Sequence, residues 1–313
     1  MPVDIAKPWG KEIWYTGMEV RGESQVLIGD QQLNLSSYLA ADPAALTQST
    51  PVLLLKVLDP KPQAVVGDLY FEVHEHKQEV YVVTHIDQGA WPDGVGGIRF
   101  GMNQVKRKQY SRDEAFRAEY LQAVKHYEQV RRQIDEQGAG VDPADEQSAR
   151  QQMNSFTNMR ELRIADVVRV PTWTPHSLLH GVRVVEFQSA SYERFIISFA
   201  QKVVTQPHWD SEHAIENMHL EPPQPESFEA VADGVERIAS FSDFNVWRMD
   251  LSVAGPATLP PHIPYAICMC VTGRAQVGDL ELEPEQACFI PFSALAGVAL
   301  GGAGTALVAA PDL

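Results

Sequence analysis

The segment from Gly67 to Val83, GDLYFEVHEHKQEVYVV, gathers the side chains most able to bind a metal ion. Strand alternation puts Tyr70, Glu72, His74 and His76 on one face of a first strand, and Glu79, Tyr81 and Val83 on one face of a second. Only the stretch around Glu75 to Gln78 separates them, so an antiparallel hairpin is expected, bringing Glu79 back beside the imidazoles. A carboxylate and two imidazoles aimed into a barrel make a divalent-metal site, against the alternative of a solvated strand face decorated with polar groups. The expected distant partner is His176 in RVPTWTPHSLLHGV. There Pro171 and Pro175 fix the chain on either side of a bend and hold the next side chain in a defined direction. His85 and His180 lack such a setting and read as structural.

The elements that must position these groups are mostly strands. PVLLLKVLD is a short apolar run rich in branched residues, and GIRFGMN follows the first histidine segment. Strand periodicity returns in MRELRIADVVRVPTWTPHSLLHGVRVVEFQSASYERFIISF. Between these, residues 111–153 read as a helical insertion: Phe116, Tyr120, Val124, Tyr127 and Val130 recur at helical spacing. Ser111 and Glu114 form a capping-box pattern, and Gly138 marks a stop. After a weakly helical stretch from Pro207 to Ile238, a second β region runs to the end of the chain. Recurrent turn signals favour a sandwich or small barrel, and the lack of a glycine-rich strand–turn–helix start disfavours a doubly wound fold.

The chain has 313 residues, with 25 Lys plus Arg against 41 Asp plus Glu, a formal charge of −16. That field repels a phosphate backbone, so nucleic-acid binding is not expected, although a few local cations can still hold one phosphate group. No apolar run is long enough to span a membrane, and MPVDIAKPWGKEIWY has no secretory pattern. Three cysteines are too few for a disulfide scaffold; Cys268 and Cys270 read as buried thiols, and the setting as reduced and cytoplasmic. Trp91 and Trp173 are candidates to line a sugar-sized opening, whereas Trp9 and Trp14 read as packing anchors. Lys106, Arg107 and Lys108 read as a solvated loop rather than a phosphate seat.

The segments PVLLLKVLD, FEVHEHKQEVYVV and LRIADVVRVPTWTPHSLLHGVRVVEFQSASYERFI, in this order, resemble the type I mannose-6-phosphate isomerases (phosphomannose isomerases). That likeness resumes in VWRMDLSVAGPATLPPH and LELEPEQACFIP. The resemblance implies a mainly β fold, a double-stranded β-helix (cupin, jelly-roll) arranged as a bicupin with a helical insertion. The implied catalytic domain is 1–238, and 239–313 a degenerate cupin-like domain. It implies a Zn2+ site of Glu72, His74, Glu79 and His176, with Fe, Mn, Ni or Co as other candidate ions. Glu72 stands where the family has glutamine, and the shortened loop after His74 leaves His76 in place of Glu72 as the alternative ligand. Glu186 corresponds to the candidate base, Arg194 to a substrate-facing arginine and Lys77 to the lysine of a Lys-x-Glu element. The implied reaction interconverts mannose 6-phosphate and fructose 6-phosphate, or a related sugar phosphate, through an enediolate. An iron-dependent cupin oxygenase and a non-catalytic sugar-phosphate-binding bicupin are the alternatives, and monomer and homodimer stay open.

Overall fold

The computed structural model describes residues 1–42, 45–46, 50–137, 142–203, 205–255, 257–259 and 262–312. Two antiparallel sheets form the first β region. One has six strands in the spatial order Val3–Lys7, Gly10–Trp14, Leu54–Pro60, Val182–Gln188, Glu79–Ile86 and Val167–Val170. The other has five, in the order Thr157–Leu162, Gly96–Met102, His176–Leu178, Phe71–Val73 and Phe195–Ser198. From Leu54 to Ile86 and again from Leu162 to Ser198 the chain alternates between the sheets, as a jelly-roll requires, and the sheets do not close on one another.

That alternation corrects the expected hairpin. Phe71–Val73 pairs with His176–Leu178 and Phe195–Ser198, whereas Glu79–Ile86 pairs with Val182–Gln188 and Val167–Val170. Residues 74–78 cross from sheet to sheet. The backbone groups that a hairpin would have satisfied are met by strands about a hundred residues later, so a short connection was a poor guide to pairing.

The six-stranded sheet is buried on both faces. Leu58, Tyr81, Val83, Val168 and Val184 face the core shared with the five-stranded sheet and the helices. Ile13, Leu55, Val57, Val80, Val82, Val185 and Phe187 face the other way, against Phe244, Val246, Ile267, Met269, Leu307 and Ala309 of the carboxyl-terminal sheet. A strand packed on both faces loses the polar half of its alternation, which is why PVLLLKVLD is almost continuously apolar. The Tyr265 hydroxyl stitches the two regions together, accepting from Leu53 N–H at 2.7 Å and donating to the Pro51 carbonyl at 2.8 Å.

The carboxyl-terminal sheet has eight strands and begins at Glu229–Ala232, paired with Val235–Ser240. The expected domain boundary at 238/239 therefore falls inside a strand, and the weakly helical stretch before it contains one helix, Ser211–Asn217, followed by this hairpin. The insertion is helical over Asp113–Gln137 and Pro143–Asn154, with Gly138 lying outside the described residues. Phe116, Tyr120, Val124 and Tyr127 bury their rings and methyls with Met153, Phe156, Trp209 and Ile215. Among the described residues no helix is long and apolar enough to cross a membrane.

Two substitutions test the two-faced packing. Phe187→Ala should cost about 3–5 kcal/mol by opening a cavity between the sheets. Tyr265→Phe, which leaves the buried Leu53 N–H unpaired, should cost about 1–3 kcal/mol. Both are read as shifts of the urea midpoint.

Candidate metal centre and its cleft

Strand register places the polar side chains. Trp14 lies opposite Lys56, Lys56 opposite Glu186, and Glu186 opposite Tyr81, one row across four strands of the six-stranded sheet. Glu79 lies opposite Gln188 in the neighbouring row. From the facing sheet, Glu72 and His176 are direct cross-strand partners, and His74 follows one residue after the end of Phe71–Val73.

Glu72, His74 and His176 each bring one ligand atom within 4.8 Å of the others. Glu79 reaches both rings, with Oε1 3.5 Å from His74 Nε2 and Oε2 3.2 Å from His176 Nε2. Glu72 Oε1 is 3.7 Å from His74 Nε2. The Nδ1–H of His176 donates to the Thr174 carbonyl at 2.9 Å, which turns its other nitrogen towards the carboxylates. Both nitrogens of His74, Nε2 of His176 and Oε2 of Glu72 are buried without a hydrogen-bond partner. Four such orphans in one spot are costly unless something meets them, and two imidazoles with two carboxylates are a fitting donor set for a divalent cation.

The charges around this cluster are balanced. Burial pushes the His74 imidazole down to about 4, so it is neutral and one of its ring nitrogens has its lone pair free. Burial would raise the Glu79 carboxyl, but the Lys77 ammonium, in direct ion-pair contact, and the two imidazoles hold it well below the ordinary range. Tyr81 donates its hydroxyl to Glu79 Oε2 at 2.6 Å. Burial raises the Glu186 carboxyl well above the ordinary range, with Lys56 only 3.9 Å away opposing it and the Glu79 charge reinforcing it.

Glu72, Glu79, Lys77, Tyr81, Lys56 and Glu186 line a cleft of about 370 Å³, with the two imidazoles buried behind the carboxylates, and its walls also include Lys7, Glu12, Trp9, Trp14, Tyr70 and Arg194. Lys56 donates to Gln188 Oε1 at 2.5 Å and lies 3.9 Å from Glu12 Oε2; Lys7 lies 3.0 Å from Glu12 Oε1. Arg194 donates to Thr205 at 3.1 Å and sits over the Tyr70 ring, 4.4 Å from its centre.

Several expectations are revised. The His76 side chain is 75% exposed and points away from the cluster, because the strand ends at Val73 and a bend at Glu75 and His76 breaks the alternation. The alternative quartet with His76, and the oxygenase reading that favoured it, lose that ligand. Trp91 stacks on His180, and Trp173 on Phe195, whereas Trp9 and Trp14, expected as packing anchors, line the cleft. Arg107 is taken up by Asp113 and Glu221, and Lys106 lies over Phe156, both away from the cleft. Lys56, Glu12 and Tyr81 are the cleft groups that sequence reasoning passed over as functional. A lone lysine inside LLLKVLD was the available signal, since a charge in a doubly buried strand needs a polar pocket.

No family model matches the chain, and no curated protein matches it. Among solved structures it is similar to the mannose 6-phosphate isomerase from Bacillus subtilis, at a TM-score of 0.69 and 15% identity over 99% of this chain and 98% of that one. A zinc-bound mannose 6-phosphate isomerase gives a TM-score of 0.70 at 14% identity, over 96% and 91% of the two chains. A single-substitution variant of phosphomannose isomerase from Salmonella typhimurium gives 0.69 at 15%, over 99% and 93%. The chain has their fold. At this identity the likeness covers the fold and leaves the chemistry to be argued from the side chains.

Glu12 offers a test of the charge row. Burial would raise its carboxyl, but Lys56, Lys7 and the Trp14 indole N–H, donating at 2.6 Å, hold it at about 2, against an ordinary 4.5. A depressed carboxylate contributes its stability above the ordinary value and loses it as pH falls towards the folded one. Glu12→Gln should therefore melt below the wild type at pH 7, with the gap closing between pH 4.5 and about 2. A gap that stays constant over that window would contradict the role.

Proposed function

We propose that this protein is a metal-dependent sugar isomerase interconverting an aldose phosphate and its ketose, with mannose 6-phosphate and fructose 6-phosphate as the pair to test first. The observation that carries the reading is a cation-binding quartet whose carboxylates, Glu72 and Glu79, open on a cleft shared with a buried carboxyl of raised pKa and with Arg194, which has no carboxylate within ion-pair distance among the described residues. The fold shared with mannose 6-phosphate isomerases supports the same reaction class.

Glu72, His74, Glu79 and His176 would hold the ion, and zinc, present in one structural neighbour, is a suitable occupant. A bound divalent ion supplies Lewis acidity towards the substrate carbonyl and its neighbouring hydroxyl. The remaining work falls to side chains. In its ionised form Glu186 takes the proton from C2 of the open-chain aldose and returns it at C1, passing through an enediolate; burial makes its carboxylate a stronger base than a solvated one. Lys56 stabilises the ionised form of Glu186 from 3.9 Å. Lys77, buried against Glu79, fixes that ligand's orientation and offsets its charge. Arg194 has no carboxylate within ion-pair distance among the described residues, which leaves it available to the anionic end of the substrate.

Mannose 6-phosphate turnover should vanish on chelation and return on adding a divalent metal. Glu186→Gln should lower kcat by about 10²–10⁴-fold with little change in KM. Arg194→Met should mainly raise KM. A fully metallated protein without turnover on either sugar phosphate would refute the assignment.

A further inference from the structure

The candidate centre holds a second carboxylate, Glu72, in addition to Glu79. Glu72 is fixed by the sheet, opposite His176 in register, so its position does not depend on a loop. Its side chain is only 16% exposed, its Oε1 is 3.7 Å from His74 Nε2, and its Oε2 is buried with no hydrogen-bond partner. Among the described residues no lysine or arginine lies within ion-pair distance of it, and the nearby Lys77 is engaged by Glu79. A carboxylate held in this way beside two imidazoles has one electrostatic need left, and a cation in the quartet meets it.

We infer that Glu72 biases this centre towards hard, oxygen-preferring divalent cations, with Mn2+ as the representative ion, relative to a centre with one carboxylate. The inference rests on the reading of the quartet as a metal centre, and on nothing about the reaction. Zinc is satisfied by few ligands and accepts imidazole readily, so His74, His176 and Glu79 already supply most of what it needs. Manganese takes more ligands and gains more from anionic oxygen than from a neutral donor. The charge of Glu79 is already opposed by Lys77, whereas that of Glu72 has no ammonium or guanidinium partner among the described residues, so Glu72 is the carboxylate whose charge an ion gains in a site with little access to water.

The test is metal binding by the purified, metal-free protein, with no turnover required. Free Mn2+ is followed by its electron paramagnetic resonance signal, and Zn2+ by competition with a coloured chelator. Glu72→Gln keeps the size of the side chain and removes its charge. It should weaken Mn2+ by at least about tenfold and Zn2+ by less than about threefold, the scale expected when one group of a metal's surroundings is lost. Glu72→Asp, which keeps the charge, should leave the ratio of the two affinities closer to that of the wild type, and it serves equally if the amide variant does not fold. Equal weakening of both ions, or unchanged Mn2+ binding, would overturn the role of Glu72 while leaving the metal centre standing. Wild-type protein that binds neither ion would overturn the metal centre itself, and this inference with it.

Discussion

Burying ionisable groups between two sheets is the constraint on which the rest of the structure depends. Lys56, Lys77, Glu79, Glu186 and Glu12 are all buried, and a buried charge without a partner costs several kcal/mol. Opposite signs answer that cost: within the six-stranded sheet Lys7 pairs with Glu12, and Glu12 and Glu186 with Lys56, while Lys77 reaches Glu79 from the connection that crosses between the sheets. The facing sheet adds two imidazoles and Glu72, and there the pairing runs out, leaving the orphaned nitrogens and oxygen at one point. The gap in the compensation coincides with the donor set for a cation. A stability network and a candidate chemical centre are thus built from the same residues.

Such a network needs a rigid wall behind it. The carboxyl-terminal sheet provides one, since Val57, Val80, Val82, Val185 and Phe187 alternate with the charged residues and pack on its apolar face. Each of those strands presents charge to one side and hydrocarbon to the other, so a slip of one residue would bury Lys56 and Glu186 against Ile267 and Leu307. The register of the charge row is enforced by the hydrophobic face it does not use. On its other face the carboxyl-terminal sheet forms a separate apolar core that includes Cys268 and Cys270, and the only metal-competent clusters among the described residues belong to the first region. Its contribution to the cleft is mechanical.

Much of this was legible in the sequence, and the failures share a cause. The two β regions and the helical insertion follow from periodicity; the grouping of Glu72, His74, Glu79 and His176 follows from resemblance to a known family, since the hairpin that periodicity offered does not form. Pairing did not follow, because Phe71–Val73 and Glu79–Ile86 are neighbours in sequence and belong to opposite sheets. His76 was placed with its neighbours by an alternation that stops at Val73, where the chain leaves the sheet. Trp9 and Trp14 were hidden for the opposite reason. Both are buried like any core residue, and only the shape of the cleft shows that they line it. Local patterns report which residue types share a face; they do not report what that face meets.

The overall charge and the cleft can be reconciled on the same physical grounds. The chain carries −16, a balance that ought to repel an anionic substrate. Yet Lys7, Arg21, Lys56, Lys77 and Arg194 meet in the cleft with Glu12, Glu72, Glu79, Glu186 and Glu193, five cations against five acids. That local count is even, and a divalent cation in the quartet would add two positive charges. Low-dielectric walls concentrate such a field inside the cleft, while salt screens the acidic exterior within roughly 10 Å. An acidic protein can therefore present a positive interior to a sugar phosphate, provided the cation is in place. The ion's charge would then serve binding as well as chemistry, and its loss would weaken substrate capture even before any bond is made or broken.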